Sequence, residues 1–263
     1  CAIAEIDPKI HLIHLGTMGV YGYGTIKDCT LPEGYIDVKY NNKTINILHP
    51  AYPGSIYHMT KTQDALFFQF YAQNYKCRIT DLHQGIIWGS QTNETKQHPH
   101  LYNRFDYDSD YGTVLNRFIV QASIQHPLTV YGTGEQTRAF IHINDSLKCI
   151  ELAIENPPKQ GERVKIFNQM TQTHRLIDLA NMIQSVVLPE ISINFMDNPR
   201  NELKENSLSV SNQQFMDLGL NPQYLNESHI SHLIKYVQSF KQNINTKLML
   251  PRSFWNHSSV KQS

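Results

Sequence analysis

Cysteine is scarce in this sequence. The 263 residues contain four, Cys1, Cys29, Cys77 and Cys149, and no two of them form a Cys-x-x-Cys pair. This spacing excludes the disulfide-dense frameworks of small secreted domains and argues against a cysteine-based zinc site. We therefore expect reduced thiols and an interior compartment.

An excess of charge of one sign is missing, and so are long apolar runs. The 23 basic residues balance the 23 acidic residues, and they are dispersed, which counts against a nucleic-acid groove or an anionic membrane surface as the main partner. No apolar run approaches roughly 18 residues, so we expect no membrane span, and we expect no signal or transit segment. The hydrophobic content of 40% suits a globular protein.

The sequence begins at Cys1 rather than at a methionine, in what resembles the end of a helix. We interpret the chain as a fragment or a processed product of a longer protein. Its length is sufficient for one large domain or for two small ones, each with its own core.

One stretch carries a recognisable chemical pattern. A Pro-Gly pair precedes Ser55, whose hydroxyl can cap a helix that we predict over 55–76. Tyr57 and Lys61 are four residues apart, so they lie on one face of that helix. A lysine ammonium beside a phenol stabilises the phenolate, and such a tyrosine can take or give the proton of a sugar hydroxyl or carbonyl.

The spacing of this pair is not specific by itself. Tyr23/Lys27 and Tyr35/Lys39 show the same spacing, but they lie among glycines and prolines without a helical pattern. The alternative for Tyr57 is a tyrosine packed in a helix above a solvated lysine, so the surrounding sequence has to decide.

The predicted helix is apolar on more than one side. One stripe consists of Ile56, Met59, Leu66, Phe67 and Phe70, and further apolar residues continue the face of the tyrosine and the lysine. A helix that is apolar most of the way round is buried on both sides. We expect one face to pack on a sheet and another on a partner subunit, because an exposed phenylalanine-rich face promotes aggregation.

Two predicted strands place polar side chains at their carboxyl ends. Residues 11–16 form a short apolar strand followed by Thr17, and residues 78–88 form a strand that is broken at 83–85. Ligands of open α/β sheets bind beyond the carboxyl ends of strands. Thr17 and Gln84 are therefore candidates to face a ligand, and we expect the glycine of the break to let a ligand approach the backbone. The alternatives are an ordinary turn threonine and a satisfied strand-end glutamine.

Other segments alternate between helical and extended patterns. A long loop is predicted over 23–53, with a hairpin over 35–47 around two asparagines. The further predicted helices are 113–125, 144–155, 176–187, 211–217 and 226–242, and the further strands are 128–131, 139–143, 164–168 and 191–195. We expect Asn144 or Asp145 to cap the helix that ends before Pro157-Pro158, and we expect a loose polar tail from 250.

Two other motifs are weaker. His98 and His100 lie in a polar segment without a third ligand at suitable spacing, so we expect a surface loop and no metal there. The Gly132-x-Gly134 motif lacks the strand-then-helix setting of a dinucleotide site and is interpreted as a turn.

Taken together, the segments resemble the extended short-chain dehydrogenase/reductase family, which acts on nucleotide sugars with NAD(P). The resemblance is carried by LGTMGVYG, PGSIYHMTKTQDALFF, RITDLHQGIIWG, NRFDYDSDYGTVLNRF, HPLTVYGTGEQTRAFIHI and FNQMTQTHR, which span nearly all of 11–222. It implies an α/β fold: a Rossmann-like doubly wound parallel sheet, with its N-terminal part missing, and a smaller α/β substrate-binding C-terminal domain.

The closer resemblance within the family is to the branch that serves sulfolipid biosynthesis. That branch converts UDP-glucose and sulfite into a sulfonated UDP-hexose through a 4-keto-5,6-ene, with transient reduction of NAD. The implied domains are 1–90, the C-terminal part of the NAD-binding domain, and 91–250, mainly the nucleotide-sugar region with one or more elements returning to the first sheet. Residues 251–263 are the loose tail. A homodimer is implied, located in the chloroplast stroma of a photosynthetic eukaryote and otherwise in the cytoplasm.

The resemblance also assigns roles to single residues. It implies that Tyr57 is the catalytic base and acid, that Lys61 tunes it and holds the nicotinamide ribose, that Thr17 hydrogen-bonds the sugar, and that His58 lies near the sugar C6 and the sulfite. Cofactor contacts are implied for Tyr57, Lys61, Gln84 and Ile87. Substrate contacts are implied for Thr17, Tyr57, Gln84, Arg104, Asn116, Arg138 and Arg200, the last two as pyrophosphate clamps.

The sequence departs from the family at its start. The family begins with a strand, a Gly-x-x-Gly-x-x-Gly turn and a helix that cradle the NAD pyrophosphate, and we find no such unit before Thr17. Three alternatives follow: another NAD-dependent nucleotide-sugar 4-epimerase or dehydratase, a catalytically inactive member that serves as a binding or scaffold protein, including RNA binding, and metal-dependent chemistry. Met18-Gly19 stands where 4,6-dehydratases carry an Asp-Glu pair.

Overall fold

The computed structural model describes residues 2–22, 29–109, 111–187, 189–199 and 208–251. Its α-helices are α1 Ala2–Ile6, α2 Ile56–Tyr75, α3 Val114–Ser123, α4 Ile143–Glu155, α5 Leu176–Ser185, α6 Gln213–Asp217 and α7 Glu227–Gln238. Its strands are β1 His11–Leu15, β2 Thr30–Leu31, β3 Tyr35–Tyr40, β4 Lys43–Leu48, β5 Arg78–Gln84, β6 Ile86–Trp88, β7 Leu128–Tyr131, β8 Thr137–His142, β9 Lys165–Gln169, β10 Gln172–Arg175, β11 Ile193–Met196 and β12 Ser209–Val210.

A parallel sheet of order β1-β5-β9 positions the amino-terminal half of the site. Leu15 pairs with Leu82, and Gln84 pairs with Gln169, so the carboxyl ends of the three strands lie at one edge. Leu82 and Phe167 are fully covered by a cluster that includes residues of α4 and α6. Because β9 lies late in the chain, the sheet joins residues from both halves of the sequence.

Helix α2 is the crossover between the parallel strands β1 and β5. Ser55 caps it, since the His58 N–H donates to the Ser55 hydroxyl at 3.1 Å, and it ends where Lys76 adopts the left-handed conformation. The predicted bounds of this helix are confirmed. Within this single chain only Thr62 and Ala72 of the helix are buried, so the predicted cover of its outer face by a partner subunit stays a prediction.

The strand predicted over 78–88 is two strands in different sheets. Strand β5 ends at Gln84, and β6 enters a second sheet of order β10-β8-β6. A Cβ on Gly85 would lie 2.8 Å from the Ala139 carbonyl oxygen of β8. The expectation that this glycine lets a ligand approach is therefore wrong, because the neighbouring strand occupies that space.

The carboxyl-terminal half has its own core around the parallel pair β7 and β11. Helix α3 contacts both α5 and α7. Its side chains Leu115, Phe118 and Ile119 are fully buried, together with Leu128 and Val130 of β7. This cluster is the largest apolar core that the described residues form.

A hairpin and a short parallel pair complete the architecture. Strands β3 and β4 pair in antiparallel fashion, and Asn41 and Asn42 both have positive φ, which suits the tight turn that joins them. The predicted hairpin is thus confirmed. Strand β12 pairs with β2 in parallel, and it brings a late segment next to the loop after β1.

Two local predictions need correction. Neither Asn144 nor Asp145 caps α4; His142 does, because its Nδ1 accepts the Asn144 N–H at 3.3 Å, while Asp145 accepts the Gln223 N–H at 2.7 Å. Strand β10 follows β9 closely and was not predicted, since its polar sequence shows no apolar alternation.

Some predictions concern residues outside the description. Arg200 and the Tyr23/Lys27 pair lie outside the described residues, as does the polar tail from 252. Among the helices that are described, none combines the length and the apolar character needed to cross a bilayer.

Candidate active site

The carboxyl edge of the parallel sheet carries two of the predicted site residues. Thr17 follows β1 at the start of a 3₁₀ turn, Met18–Tyr21, and its hydroxyl accepts the Gly19 N–H at 3.1 Å. Gln84 ends β5 in a half-buried position. The sheet therefore places a hydroxyl and an amide on neighbouring strands at the edge where ligands of such sheets bind.

Lys61 fastens α2 to this edge. Its Nζ donates to the Leu15 carbonyl at 3.0 Å and lies 3.4 Å from Nε2 of His14. Leu15 stands two residues before Thr17. Tyr57 lies one turn nearer the start of α2, with 56% of its surface exposed. The helix therefore holds its lysine at the strand end and leaves the phenol accessible.

His58 closes the turn that contains Thr17. A Cβ added to Gly19 would overlap the His58 ring, so glycine at this position is required for the contact. The His58 ring also lies 5.5 Å from the Tyr57 ring, measured between centroids. Thr17, His58 and Lys61 are thus brought to one edge of the sheet by two elements, β1 and α2.

A buried network lies directly beneath Lys61. Asp81 of β5 accepts from Nδ1 of His14 at 2.9 Å and from Nε2 of His83 at 3.2 Å, and its side chain is almost fully buried. Burial by itself raises the pKa of the Asp81 carboxyl. The interactions with His83 and His14 outweigh burial and hold this pKa well below its usual range.

Tyr21 anchors the other end of the 3₁₀ turn. Its hydroxyl donates to Oδ1 of Asn168 at 2.8 Å and accepts the Gly34 N–H at 3.0 Å. Burial raises the pKa of this phenol. Tyr21 is therefore a structural tyrosine that joins the turn to β9, in contrast to the exposed Tyr57.

Gly16, Gly19 and Gly22 have the spacing of a dinucleotide motif, but the chain itself occupies the space beside them. A Cβ on Gly16 would meet the Asp81 carboxylate, one on Gly19 would meet His58, and one on Gly22 would meet the Tyr52 backbone. A 3₁₀ turn rather than an α-helix follows. These glycines therefore serve internal packing and not a pyrophosphate cradle.

The remaining predicted site residues are more dispersed. Arg138 is buried on β8 and donates to the Thr137 carbonyl; Ile87 on the neighbouring β6 is partly exposed. Arg104 is highly exposed and pairs with Asp106 at 2.7 Å, whose carbonyl accepts from the Asn116 side chain at 3.0 Å. Within the described residues, the ion pair of Arg104 and the hydrogen bonds of Asn116 do not reach the edge that bears Thr17.

Sequence reasoning missed His14, Asp81 and His83. A signal for them was present, because Asp81 and His83 are ionisable residues two apart in a predicted strand and therefore share one face of the sheet. Polar groups that are buried in a strand need partners, and the pattern did not reveal that His14 of another strand supplies one.

Metal chemistry gains no support from the described residues. Among them, no group of three or more histidine, cysteine or acidic side chains is placed to hold an ion. His98 and His100 flank the start of a 3₁₀ turn, with their ring centroids 5.0 Å apart.

Comparison with known proteins relates the chain to a family. The model of the NAD dependent epimerase/dehydratase family matches residues 1–168. The chain is 38% identical over 264 residues to "UDP-sulfoquinovose synthase, chloroplastic" of Spinacia oleracea, which covers 99% of this chain and 54% of that protein. It is 34% identical over 260 residues to UDP-sulfoquinovose synthase of Sulfolobus acidocaldarius, which covers 97% of this chain and 65% of that protein.

Solved structures agree on the fold. UDP-glucuronic acid 4-epimerase of Bacillus cereus, in complex with UDP-glucuronic acid and NAD, matches with a TM-score of 0.64 at 20% identity over 90% of this chain and 65% of its own. UDP-glucose 4-epimerase of Thermotoga maritima with UDP-glucose matches with a TM-score of 0.65 at 17% identity over 88% of this chain and 64% of its own. The predicted Rossmann-like α/β fold class is confirmed.

Proposed function

Because this chain belongs to the NAD dependent epimerase/dehydratase family, we propose that it carries the chemistry of a UDP-sulfoquinovose synthase. Such an enzyme converts UDP-glucose and sulfite into UDP-sulfoquinovose, the head-group donor of sulfolipid. The chain spans between about half and two thirds of the two relatives that bear this name.

The observation that carries the proposal is the extent of the match. The relative from spinach aligns with 99% of this chain at 38% identity, whereas relatives named UDP-glucuronic acid decarboxylase align with much shorter stretches, such as 39% of this chain at 29% identity. The geometry is compatible with it, because α2 carries Tyr57, His58 and Lys61 to the strand end that bears Thr17.

The proposed roles of the side chains follow from their placement. The exposed phenol of Tyr57 takes the proton of the sugar C4 hydroxyl and later returns it. Lys61, fixed at the strand end, supplies the positive charge that favours the phenolate. Thr17 orients the sugar by its hydroxyl.

The middle of the reaction needs proton carriers at C5 and C6. A ketone at C4 acidifies the C5 hydrogen; loss of that proton and of the C6 hydroxyl, as water, leaves a 4-keto-5,6-ene, to which sulfite adds at C6. Tyr57, His58 and Thr17 are the groups proposed to move these protons, because Met18-Gly19 follows the threonine instead of an acidic pair. His58, packed on Gly19, lies beside this position.

The described residues fit one half of an NAD molecule. Lys61 and Tyr57 offer hydrogen-bonding groups for the nicotinamide ribose, and Gln84 and Ile87 offer an amide and a partly exposed apolar side chain beside the sheet edge. When bound, NAD supplies the reversible acceptor for the C4 hydride. The three glycines after β1 do not offer a pyrophosphate cradle, since this chain fills the space beside them.

The nucleotide part of the substrate is assigned to a second group of residues. Arg138, Arg104 and Asn116 are proposed to contact UDP, because guanidinium groups match phosphate oxygens in bidentate geometry. Arg200 is proposed for the same role and lies outside the described residues. The division into an NAD-binding part over 1–90 and a sugar-nucleotide part over 91–250 is also a proposal, in which β9 is the element that returns to the first sheet.

A second copy of the chain is the proposed cover for the exposed apolar face of α2, where Ile56, Leu66, Phe67 and Phe70 are at least half exposed. Sedimentation equilibrium would show a dimer at micromolar concentration, and a monomer would contradict this part of the proposal. The compartment proposed is the chloroplast stroma for a photosynthetic eukaryote, in line with the name of the spinach relative, and the cytoplasm otherwise.

The test uses the chain together with any residues encoded upstream of Cys1. It is incubated with UDP-glucose, NAD⁺ and sulfite, and a sulfonated UDP-hexose is sought by mass spectrometry. We expect Tyr57→Phe to lower the rate by roughly 10²–10⁴-fold, because the phenol is the proton carrier. Tyr75→Phe is the matched control, since it removes a hydroxyl from an exposed tyrosine at the far end of the same helix.

The possible outcomes separate the alternatives. Sulfite-independent formation of UDP-galactose or of a 4-keto-6-deoxy sugar would indicate a 4-epimerase or a 4,6-dehydratase on the same fold. Absence of any product together with absence of NAD binding would favour a binding or scaffold protein. Equal losses in both tyrosine variants would remove Tyr57 from the mechanism.

A further inference from the structure

We propose that His14, oriented by Asp81, is a positioning residue for Lys61. The proposal rests on the proposed function in one respect, namely that Lys61 serves the chemistry at this edge of the sheet. It concerns residues that neither the Tyr-x-x-x-Lys pattern nor the threonine implies, and it assigns a purpose to the buried Asp81.

The state of Asp81 fixes the state of His14. The buried Asp81 accepts from both His14 and His83; two such hydrogen bonds favour the ionised carboxyl, which can only accept. Nδ1 of His14, 2.9 Å from Oδ1 of Asp81, must therefore carry a hydrogen. In neutral His14 this leaves Nε2 with a lone pair that can accept.

His83 donates a hydrogen bond to the second oxygen of Asp81 and does not take part in the contacts between His14 and Lys61. Its Nε2 lies 3.2 Å from Oδ2 of Asp81, so this nitrogen is the donor. Its Nδ1 is buried and has no hydrogen-bond partner among the described residues, and a second hydrogen there would be unsatisfied. The neutral form with hydrogen on Nε2 satisfies both requirements.

The lone pair of His14 faces the ammonium group. Nζ of Lys61 lies 3.4 Å from Nε2 of His14, at the long end of the hydrogen-bond range, and 3.0 Å from the Leu15 carbonyl. Two acceptors of β1 thus hold the ammonium at the strand end. The imidazole of His14 lies between the positive charge of Lys61 and the negative charge of Asp81. In this arrangement the Asp81 carboxylate fixes the tautomer of the histidine.

A competing carboxylate explains why such a device is needed. Oδ2 of Asp64 lies 3.7 Å from Nε2 of His14, and Asp64 stands three residues after Lys61 on the same helix, where oppositely charged side chains pair. Asp64 is half exposed. Without the acceptor on His14, Lys61 is free to turn toward Asp64 and away from the substrate edge. The groups that contact His14 are therefore Asp81 from β5, Lys61 and Asp64 from α2, and the ring of Phe68 at 4.7 Å. His83 of β5 is linked to His14 through Asp81.

The first test compares two substitutions at one position. His14→Leu keeps bulk against Phe68 and removes the acceptor, whereas His14→Gln retains an acceptor. We expect His14→Leu to weaken NAD⁺ binding, measured by fluorescence titration, roughly tenfold, and His14→Gln to stay within roughly threefold of the unmodified protein. In turnover assays, His14→Leu should also move the acidic limb of the kcat/KM profile to higher pH, because the phenolate loses the nearby ammonium.

A matched control separates positioning from damage to the fold. His11→Leu makes the same change three residues earlier on β1, where the histidine bonds Thr80 at 2.8 Å rather than Lys61. This variant should lower the melting temperature without altering NAD⁺ affinity or the pH profile. Equal effects of His14→Leu and His14→Gln, or of His14→Leu and His11→Leu, would overturn the proposal.

A spectroscopic measurement needs no turnover. Nitrogen-15 histidine spectra of the unmodified protein should show neutral His14 with its hydrogen on Nδ1, and a hydrogen on Nε2 would overturn the proposal. If no sulfonated sugar forms while the tautomer and the NAD⁺ affinities behave as expected, the proposed function fails and the role of His14 stands. If the sulfonated sugar forms but His14 carries its hydrogen on Nε2, the proposed function stands and the role of His14 fails.

Discussion

Helices α3 and α2 have similar apolar content and opposite surroundings. In α3, every residue from Leu115 to Ser123 except Asn116 is buried, because α5, α7 and β7 cover it. In α2, twice as long, only Thr62 and Ala72 are buried, and Phe67 is 61% exposed. Within the described residues, α3 is therefore buried by its neighbours, whereas α2 has an exposed apolar face.

The region around α3 and the candidate site on α2 depend on different interactions. The covered region around α3 contains the largest apolar cluster, whereas Thr17, Tyr57 and Lys61 lie on the side of α2. Burial of apolar area is the dominant favourable contribution to folding, so α3 is the region in which substitutions alter stability most. The candidate site depends instead on a few polar contacts between α2 and β1.

The largest expected contrast is between Phe118→Ala in α3 and Phe67→Ala in α2. Phe118 is fully buried, so its truncation should lower the free energy of unfolding by about 3–5 kcal/mol. Phe67→Ala should change it by less than about 0.5 kcal/mol in the monomer. Urea unfolding followed by circular dichroism measures both, and equal losses would show that α2 is as well covered as α3.

Acidification should weaken the covered region through His142. Burial lowers the pKa of His142 to about 4 from 6.5, and His229 and Lys96 add to this effect. Because the unfolded chain binds the proton first, stability is complete above pH 6.5 and falls as the pH drops from 6.5 toward 4. Protonation would also oppose the cap that Nδ1 of His142 provides for α4.

His142→Gln should therefore reduce the loss of unfolding free energy over this pH range. Urea unfolding at a series of pH values measures it, and His98→Gln in an exposed segment is the control that should leave the pH dependence unchanged. A slope that is identical in all three proteins would mean that His142 does not couple folding to protonation.

The smallest contrast concerns the two helix caps. Thr113 accepts the Asn116 N–H at 3.3 Å at the start of α3, and Ser55 accepts the His58 N–H at 3.1 Å at the start of α2. Thr113→Ala should lower the global free energy of unfolding by about 1 kcal/mol. Ser55→Ala should act locally, as faster hydrogen exchange in the first turns of α2 with little global change. A global loss in Ser55→Ala would show that α2 unfolds together with the core.

Local sequence signals predicted the secondary structure well. The capping Ser55, the asparagine pair of the β3–β4 hairpin and the apolar spacing of α3 act over a few residues, and the structure confirms each element. Assignment of strands to sheets was less predictable, because β6 enters its sheet by pairing with β8, a strand far along the chain. Burial of the outer face of α2 by a partner subunit stays a prediction, since apolar content reports what a surface can pack against and not which partner covers it.

The site shows the same limit. The pattern pointed to Thr17, Tyr57 and Lys61 because their spacing and strand-end position are local properties. The pairing of His14 with Asp81 joins residues 67 apart in sequence, and no periodicity encodes it. Arg104 and Asn116 were placed by family resemblance alone, and the described contacts tie them to Asp106 rather than to the strand end.

The hydrogen bond from Lys61 to the Leu15 carbonyl also has a consequence for the order of folding events. Its partners are 46 residues apart, so a long loop must close before they meet. Hairpins such as β3–β4 form in about 1–10 μs, whereas long-range parallel pairing is slower because loop closure must precede its contacts. A refolding chain is therefore expected to form the Lys61–Leu15 contact later than its local hairpins.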